Sequence, residues 1–388
     1  MDTAPQQNGH HSSTFLENYW DLIGGVLLLG LTFFMEHNHY PKTLILIVIS
    51  LSIIFLSITV SEVAEILAER LDEPYGSFVL TITAVVVEII LLFSILQQSV
   101  NSPEAIETVR GGIISAVIVD MNVLLGLAVF IGGLTFKEQE HNEDTSSSYT
   151  TILYVSALAL LVPSILGNSN HSNEVVLKAS YIIGFILLLF YFAILIFQTK
   201  THEDFFKSTA KSRIFRLKRR KGESEENDHE HENYIFDRLP TVVNFLVIFV
   251  LIFLIGVSAE TFAHVGINVF KSFGISAGLA GLIIAIISVS PEIFTAVKAA
   301  KNDQIQRVVN IAMGASTVSI LLTVPALLFL GYMFKMPLTL NFNPLEIGAL
   351  IFTIILAWKT TDNGETNYFE GISHLMLFIS YAVIASLY

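Results

Sequence analysis

The sequence predicts an all-α polytopic membrane protein with about eleven transmembrane helices. Of its 388 residues, 53% are hydrophobic and only 14% are charged, and the mean hydropathy is +0.65. Soluble domains carry roughly 25% charged residues. The apolar residues fall into runs long enough to cross a bilayer, which takes about 20 residues of helix. The formal net charge of −13 comes from acids in loops and tails, so it does not indicate a soluble surface.

The predicted spans follow one another through short loops, with one long loop after the sixth. They cover residues 19–35, 43–68, 77–97, 108–134, 150–167, 178–198, 239–263, 276–299, 305–333, 345–358 and 368–387. The first and tenth are the weakest because they are short or interrupted. The N-terminus lacks the basic stretch of a cleavable signal peptide, so we expect the first span to be retained. The chain has no cysteine, which excludes disulfides and thiolate metal sites.

The distribution of Lys and Arg predicts an orientation with the N-terminus in the cytoplasm and the C-terminus outside. In that orientation 16 basic residues lie on the cytoplasmic side and five lie outside, and the loop 199–238 carries most of the difference. The third and eighth spans then cross the membrane in opposite directions. We therefore predict two inverted five-helix repeats. The predicted divisions are a tail with an extra helix (1–42), a first repeat (43–198), a cytoplasmic loop (199–238) and a second repeat (239–388).

Internal similarity agrees with this division. Leu80–Glu88 aligns with Ile284–Glu292 without a gap. In the helices that follow, two polar stripes align, each on one helix face. They are Ser115, Val119, Asn122 and Gly126 in the first half, and Ala312, Ser316, Ser319 and Thr323 in the second.

Two glutamates lie inside these apolar spans at equivalent places. Glu88 lies about 16 Å along its helix from Ser77, near the middle of a core about 30 Å thick. An ionisable side chain at this depth costs about 2.5–3.5 kcal/mol, and it typically marks an ion pathway or proton relay. Neither run contains a Lys or Arg. We predict that Glu88 and Glu292 bind a transported cation and protons. In the alternative, each is protonated and bonded to a neighbouring helix for structure.

Further oxygen ligands are predicted on the same faces, because Ca²⁺ takes 6–8 of them. Pro291 leaves the carbonyl of Ile287 without its usual backbone donor. The predicted supporting ligands are Asn122, Ser319, Ser288, Thr81, Thr295 and Ser316. Helix packing is the alternative for each of them. For Asp120, on a different face from Asn122, a role beside the site and a structural role are equally open.

An acidic stripe formed by Glu62, Glu65, Glu69 and Asp72 ends the second span at the cytoplasmic entrance. Such a stripe would raise the local cation concentration; the alternative is a solvated helix end. In the long loop, residues 207–221 are basic and suit anionic lipids. Residues 223–232 are acidic and His-bearing, and they fit either a metal sensor or a linker.

The segment Ala68–Glu88 resembles the first signature of ChaA-type calcium/proton antiporters of the cation/calcium exchanger superfamily. Ser290-Pro-Glu292 and Asn310–Pro325 look like the second signature. The resemblance implies eleven helices in two repeats, alternating access, and Glu88 and Glu292 as ion ligands. The Gly-Asn-x-x-Glu form common elsewhere in the superfamily is replaced by Ala84-Val-Val-Val-Glu88 and its counterpart before Glu292, which leaves the cation selectivity open.

The predicted function is extrusion of Ca²⁺ from the cytoplasm in exchange for protons, in the plasma (inner) membrane. No cofactor and no nucleic acid are expected; the partners are the lipid bilayer, inorganic cations and protons, and a homo-oligomer is left open. A Na⁺ or K⁺/proton antiporter is the main alternative. A Na⁺/Ca²⁺ exchanger, a passive channel and an intramembrane hydrolase using both glutamates stand further back. The sequence has no nucleotide loop, HExxH or G-x-S-x-G motif that would support ATP-driven pumping or an enzyme.

Overall fold

The computed structural model describes residues 15–71, 75–100, 102–169, 171–201 and 235–387. Eleven helices among them are long and apolar enough to cross a membrane, which confirms the predicted fold class. They are α1 Phe15–His37, α2 Lys42–Arg70, α3 Tyr75–Gln97, α4 Glu104–Phe136, α5 Glu143–Asn168, α6 Asn173–Ile196, α7 Thr241–Ser272, α8 Ala277–Lys301, α9 Ile305–Met333, α10 Pro344–Thr361 and α11 Tyr368–Leu387. The predicted central loop falls mostly on residues 202–234, outside the described residues, as do its lipid and metal hypotheses.

The helix α7 is longer than its predicted span, which ended at residue 263. Its outer end carries exposed polar side chains, among them Glu260 and His264, which lower the hydropathy there. The buried residues Phe262, Val265 and Val269 continue one apolar face through the same turns. The helical periodicity therefore continues past the point where the hydropathy signal ends.

Two glycine-rich faces bring α4 and α8 into backbone contact at the centre of the molecule. A methyl group on Gly281 would lie 2.4 Å from the backbone nitrogen of Gly112 and 2.5 Å from the carbonyl carbon of Gly111. Residues without side chains allow two helices to approach this closely in a membrane. This contact places α8, with Glu292, directly against α4, with Asp120.

Both α4 and α9 contain a π-helical segment in the middle of the span. The segments are Val119–Leu125 and Ser319–Thr323. A π segment is frequently found at a functional site, because the wider turn redirects the side chains that follow. The two segments overlap in the alignment predicted from the sequence. The division into two inverted repeats stays a prediction.

The loops sort into two sets, as successive crossings of a membrane require. The strand β1 (Glu138–Glu140) follows α4 and pairs antiparallel with β2 (Glu365–Asn367), which lies between α10 and α11. On β1, Gln139 donates a hydrogen bond of 3.0 Å to Asp303 in the α8–α9 connection. At the other end of the helices, Arg110 donates to the carbonyl of Thr339 at 2.7 Å.

Candidate cation-binding site

Glu88 on α3 is held by two hydroxyl groups of α9. Its side chain is 7% exposed. Ser319 and Thr323 each donate a hydrogen bond of 2.8 Å to Oε2 of Glu88. The other oxygen, Oε1, is buried and has no hydrogen-bond partner among the described residues. One side of the carboxylate is thus fixed, and the other retains its full capacity to bind a proton or a cation.

Asp120 lies in the π segment of α4 and is 1% exposed. Ser316 of α9 donates a hydrogen bond of 3.2 Å to its Oδ2. Its Oδ1 is also buried, and no described residue bonds to it. Ser316 and Ser319 are one helical turn apart, a rise of about 4.5 Å. The single helix α9 therefore anchors acids from α3 and α4 on adjacent turns.

Glu292 on α8 follows Pro291 in a helix that continues through the proline. The residue is partly exposed, but its Oε2 is buried and unpartnered among the described residues. Pro291 has no N–H to donate to the carbonyl of Ile287 one turn earlier. Glu292 thus supplies an acid that solvent can reach more readily than Glu88.

The three carboxylates interact through their charges. Electrostatic repulsion from Glu88 and from Glu292 reaches Asp120, and repulsion from Glu88 reaches Glu292. None of the ion pairs found within the described ranges includes any of the three. Like charges buried without a counter-ion are unfavourable unless protons or a cation compensate them. The cluster can therefore take up either.

The three acids do not form a closed metal cage in this conformation. Within the part of the chain that the structure describes, no group of three His, Asp or Glu side chains is close enough to hold one ion. Coordination of an ion by both glutamates would need the helices or side chains to move closer together.

The structure places the predicted supporting ligands unevenly. Ser319 and Ser316 touch the acids, as described above. The hydroxyl of Ser288 donates to the carbonyl of Ala285 in its own helix at 3.0 Å. Thr295 is partly buried on α8, and the side chain of Thr81 lies outside the described set. Thr323 was predicted only as part of the polar stripe, yet it bonds directly to Glu88.

Asn122 is bonded to α10 and α11. Its Nδ2 donates to Thr353 at 2.7 Å, and its Oδ1 lies 2.9 Å from Nδ1 of His374. Since the Asn122 oxygen can only accept, His374 Nδ1 carries the proton, and Nε2 accepts from Thr360 at 3.0 Å. The sequence analysis did not single out His374, although a histidine inside an apolar span is a signal of this kind.

The acidic stripe at the inner end of α2 is partly neutralised. Glu65 forms an ion pair with Arg307 at the start of α9. Glu62 is exposed. The side chain of Glu69 and the whole of Asp72 lie outside the described residues. Because Arg307 offsets the charge of Glu65, attraction of cations by the described part of this stripe rests on Glu62.

Eleven membrane-crossing helices around a buried cluster of acids define an integral membrane protein built to handle cations. The chain belongs to the sodium/calcium exchanger protein family, which it matches over residues 42–200 and 243–387.

Among its relatives are transporters named for different cations. The sodium-potassium/proton antiporter ChaA of Escherichia coli is 28% identical over 323 residues, which cover 82% of each chain. The Ca²⁺/H⁺ antiporter ChaA of Bacillus subtilis is 23% identical and covers 89% of this chain and 92% of its own.

Solved structures agree on the fold. The structure of native YfkE superposes with a TM-score of 0.76 at 21% identity, covering 95% of this chain and all 100% of its own. The H⁺/Ca²⁺ exchanger CAX gives a TM-score of 0.67 at 16% identity and covers 95% of this chain and 91% of its own.

Proposed function

We propose that the protein is a secondary active antiporter that exchanges Ca²⁺ for protons, with Glu88 and Glu292 binding them alternately. The observation that carries this proposal is the pair of buried, unpartnered carboxylate oxygens on α3 and α8 whose charges repel each other. Carboxylate oxygens are ligands that Ca²⁺ prefers. Relatives named Ca²⁺/H⁺ antiporters, from Bacillus subtilis and Synechocystis, support the choice of ions.

Competition for the same carboxylates couples the two ions. Two glutamates that each release a proton become neutral again when one Ca²⁺ binds, so the site can cross the membrane interior in either form. The supporting oxygens are those of Ser319 and Thr323, which already contact Glu88, and the carbonyl of Ile287. Alternating access follows if the two inverted repeats, 43–198 and 239–388, rearrange around the acids. The proton gradient then drives Ca²⁺ out of the cytoplasm across the plasma membrane, with the N-terminus inside and the C-terminus outside.

The test measures dissipation of a pH gradient by added Ca²⁺ in everted membrane vesicles. Glu88→Gln and Glu292→Gln keep the side-chain size but cannot exchange a proton, so we expect both to lose the Ca²⁺-dependent response. Glu260→Gln makes the same change at an exposed glutamate of α7 and should behave like the wild type. Ca²⁺-dependent proton movement that survives in both site variants would refute the assignment.

A Na⁺ or K⁺/proton antiporter is the second candidate, because the Escherichia coli relative carries that name. The same vesicles distinguish the two by adding Na⁺, K⁺ and Ca²⁺ separately and in competition. A Na⁺/Ca²⁺ exchanger would instead move Ca²⁺ without a pH gradient when Na⁺ is supplied. The relatives are transporters, which disfavours the intramembrane hydrolase. A passive channel would continue to conduct after every coupling gradient is collapsed.

A further inference from the structure

Asp120 is a third acid in the membrane interior, on a helix that carries neither glutamate. Ser316 binds one of its oxygens, while the other is buried without a partner among the described residues. Its charge interacts with both Glu88 and Glu292. A two-glutamate exchange cycle gives this carboxylate no task, and a buried acid without a task would be costly to keep.

Resting on the function proposed above, we infer that Asp120 determines cation selectivity by favouring the bound cation in proportion to the cation's charge. Its carboxylate would act from beside the paired glutamates, so that a divalent ion gains more than a monovalent one.

The geometry favours an action through the electric field over direct ligation. No three acidic or histidine side chains of the described residues share one ion position, whereas Coulomb interactions extend over several ångströms. They are also less screened in a site sheltered from water and salt. Asp120 and Glu88 are anchored on adjacent turns of α9, so the distance between them is set by one rigid helix. The number of acidic charges at a site is one means by which proteins tune Ca²⁺ affinity.

Because Coulomb energy is proportional to ionic charge, the inference makes a graded prediction. The full-length protein is purified in detergent, and the binding of Na⁺, Ca²⁺ and La³⁺ is measured by ion-dependent thermal stabilisation. In Asp120→Asn, we expect the weakening of Ca²⁺ binding to be about the square of the weakening for Na⁺, and that for La³⁺ about the cube. A roughly threefold loss for Na⁺ would then accompany a roughly ninefold loss for Ca²⁺.

Two variants separate a charge effect from a change in packing. Asp120→Glu retains the charge and should restore the preference for higher charge. Asp21→Asn makes the identical change at another buried aspartate, which is bonded to Thr59 on α2 and lies on α1. It should leave all three ions unchanged.

Equal weakening for every ion, or no weakening, would overturn the inference. If Asp120→Asn cannot be purified, Asp120→Ser removes the same charge with a smaller side chain, and the same graded series applies. Glu88→Gln and Glu292→Gln are measured alongside. If these two variants bind all three ions normally, the proposed function itself fails. If they do not and Asp120→Asn keeps the wild-type preference, only the role of Asp120 fails.

Discussion

The contact between α4 and α8 gives the most direct test of the architecture. Gly281 on α8 faces the backbone of α4, and a methyl group there would lie 2.4 Å from the nitrogen of Gly112. Backbone atoms cannot rotate aside as a flexible side chain can. In Gly281→Ala, the two helices must therefore separate.

The magnitude follows from the distances. Non-bonded heavy atoms rest about 3.5–4.0 Å apart, so the helices must move apart by about 1 Å at the crossing. Overpacking of a well-packed interior typically costs about 1–3 kcal/mol, which corresponds to about 5- to 150-fold in the folding equilibrium. The same separation would move Glu292 on α8 away from Asp120 on α4, and we expect Ca²⁺-driven proton movement to fall as well.

The assay is thermal stability of the detergent-solubilised protein, followed by size-exclusion chromatography after heating. Gly278→Ala is the matched control, because it lies on the same helix and a methyl group there meets nothing within 4 Å. Gly281→Ala should melt at a clearly lower temperature than Gly278→Ala. Equal melting temperatures for the two variants would mean that α4 and α8 do not cross as described here.

Three further predictions concern residues at the edge of the site. His374→Ala leaves the Asn122 oxygen without its donor, so we expect a loss of about 1–3 kcal/mol in thermal unfolding; an unchanged melting temperature would contradict the bonded network. Arg307→Ala and Glu65→Ala should give a coupling energy of about 0.2–1 kcal/mol in a double-mutant cycle, since both side chains are partly exposed; additive losses would argue against the pair. Burial lowers the pKa of His141 below the usual value for histidine. The unfolded chain then takes up a proton below about pH 6.5 that the folded protein resists, so stability falls as the pH drops from about 7 towards 5. The slope of melting temperature against pH should be shallower in His141→Asn, and an identical slope would refute this account.

The fold could be predicted from the sequence because the membrane imposes a strong and simple requirement. Every backbone polar group must be satisfied within the span, which leaves only long apolar helices for a pattern of this kind. All eleven spans are present, with ends that differ by up to several residues. The largest difference, at the end of α7 near Ser272, arose where a polar face lowers the hydropathy while the buried face continues.

The candidate site could be predicted only in part. Glu88 and Glu292 stand out because an acid in an apolar run is rare, and Ser319 follows from the repeat alignment. The π segments were not predictable, since a regular period of 3.6 residues was assumed along each helix. The partners of Asn122 also depend on which helices pack together. No pattern within one span could have shown that Asn122 bonds to α10 and α11, while Asp120 interacts with the glutamates.

The hydroxyl groups of α9 divide the work of the Glu88 carboxylate between its two oxygens. Hydrogen bonds to a charged group contribute about 1.5–3 kcal/mol each, so the bonds from Ser319 and Thr323 fix Oε2 firmly to α9. A cation that had to displace both hydroxyls would give up much of what it gains. Oε1 has no such competitor among the described residues. A cation can therefore bind at Oε1 while α9 continues to hold the side chain, and Glu88 stays oriented whether the site contains a proton or a metal ion.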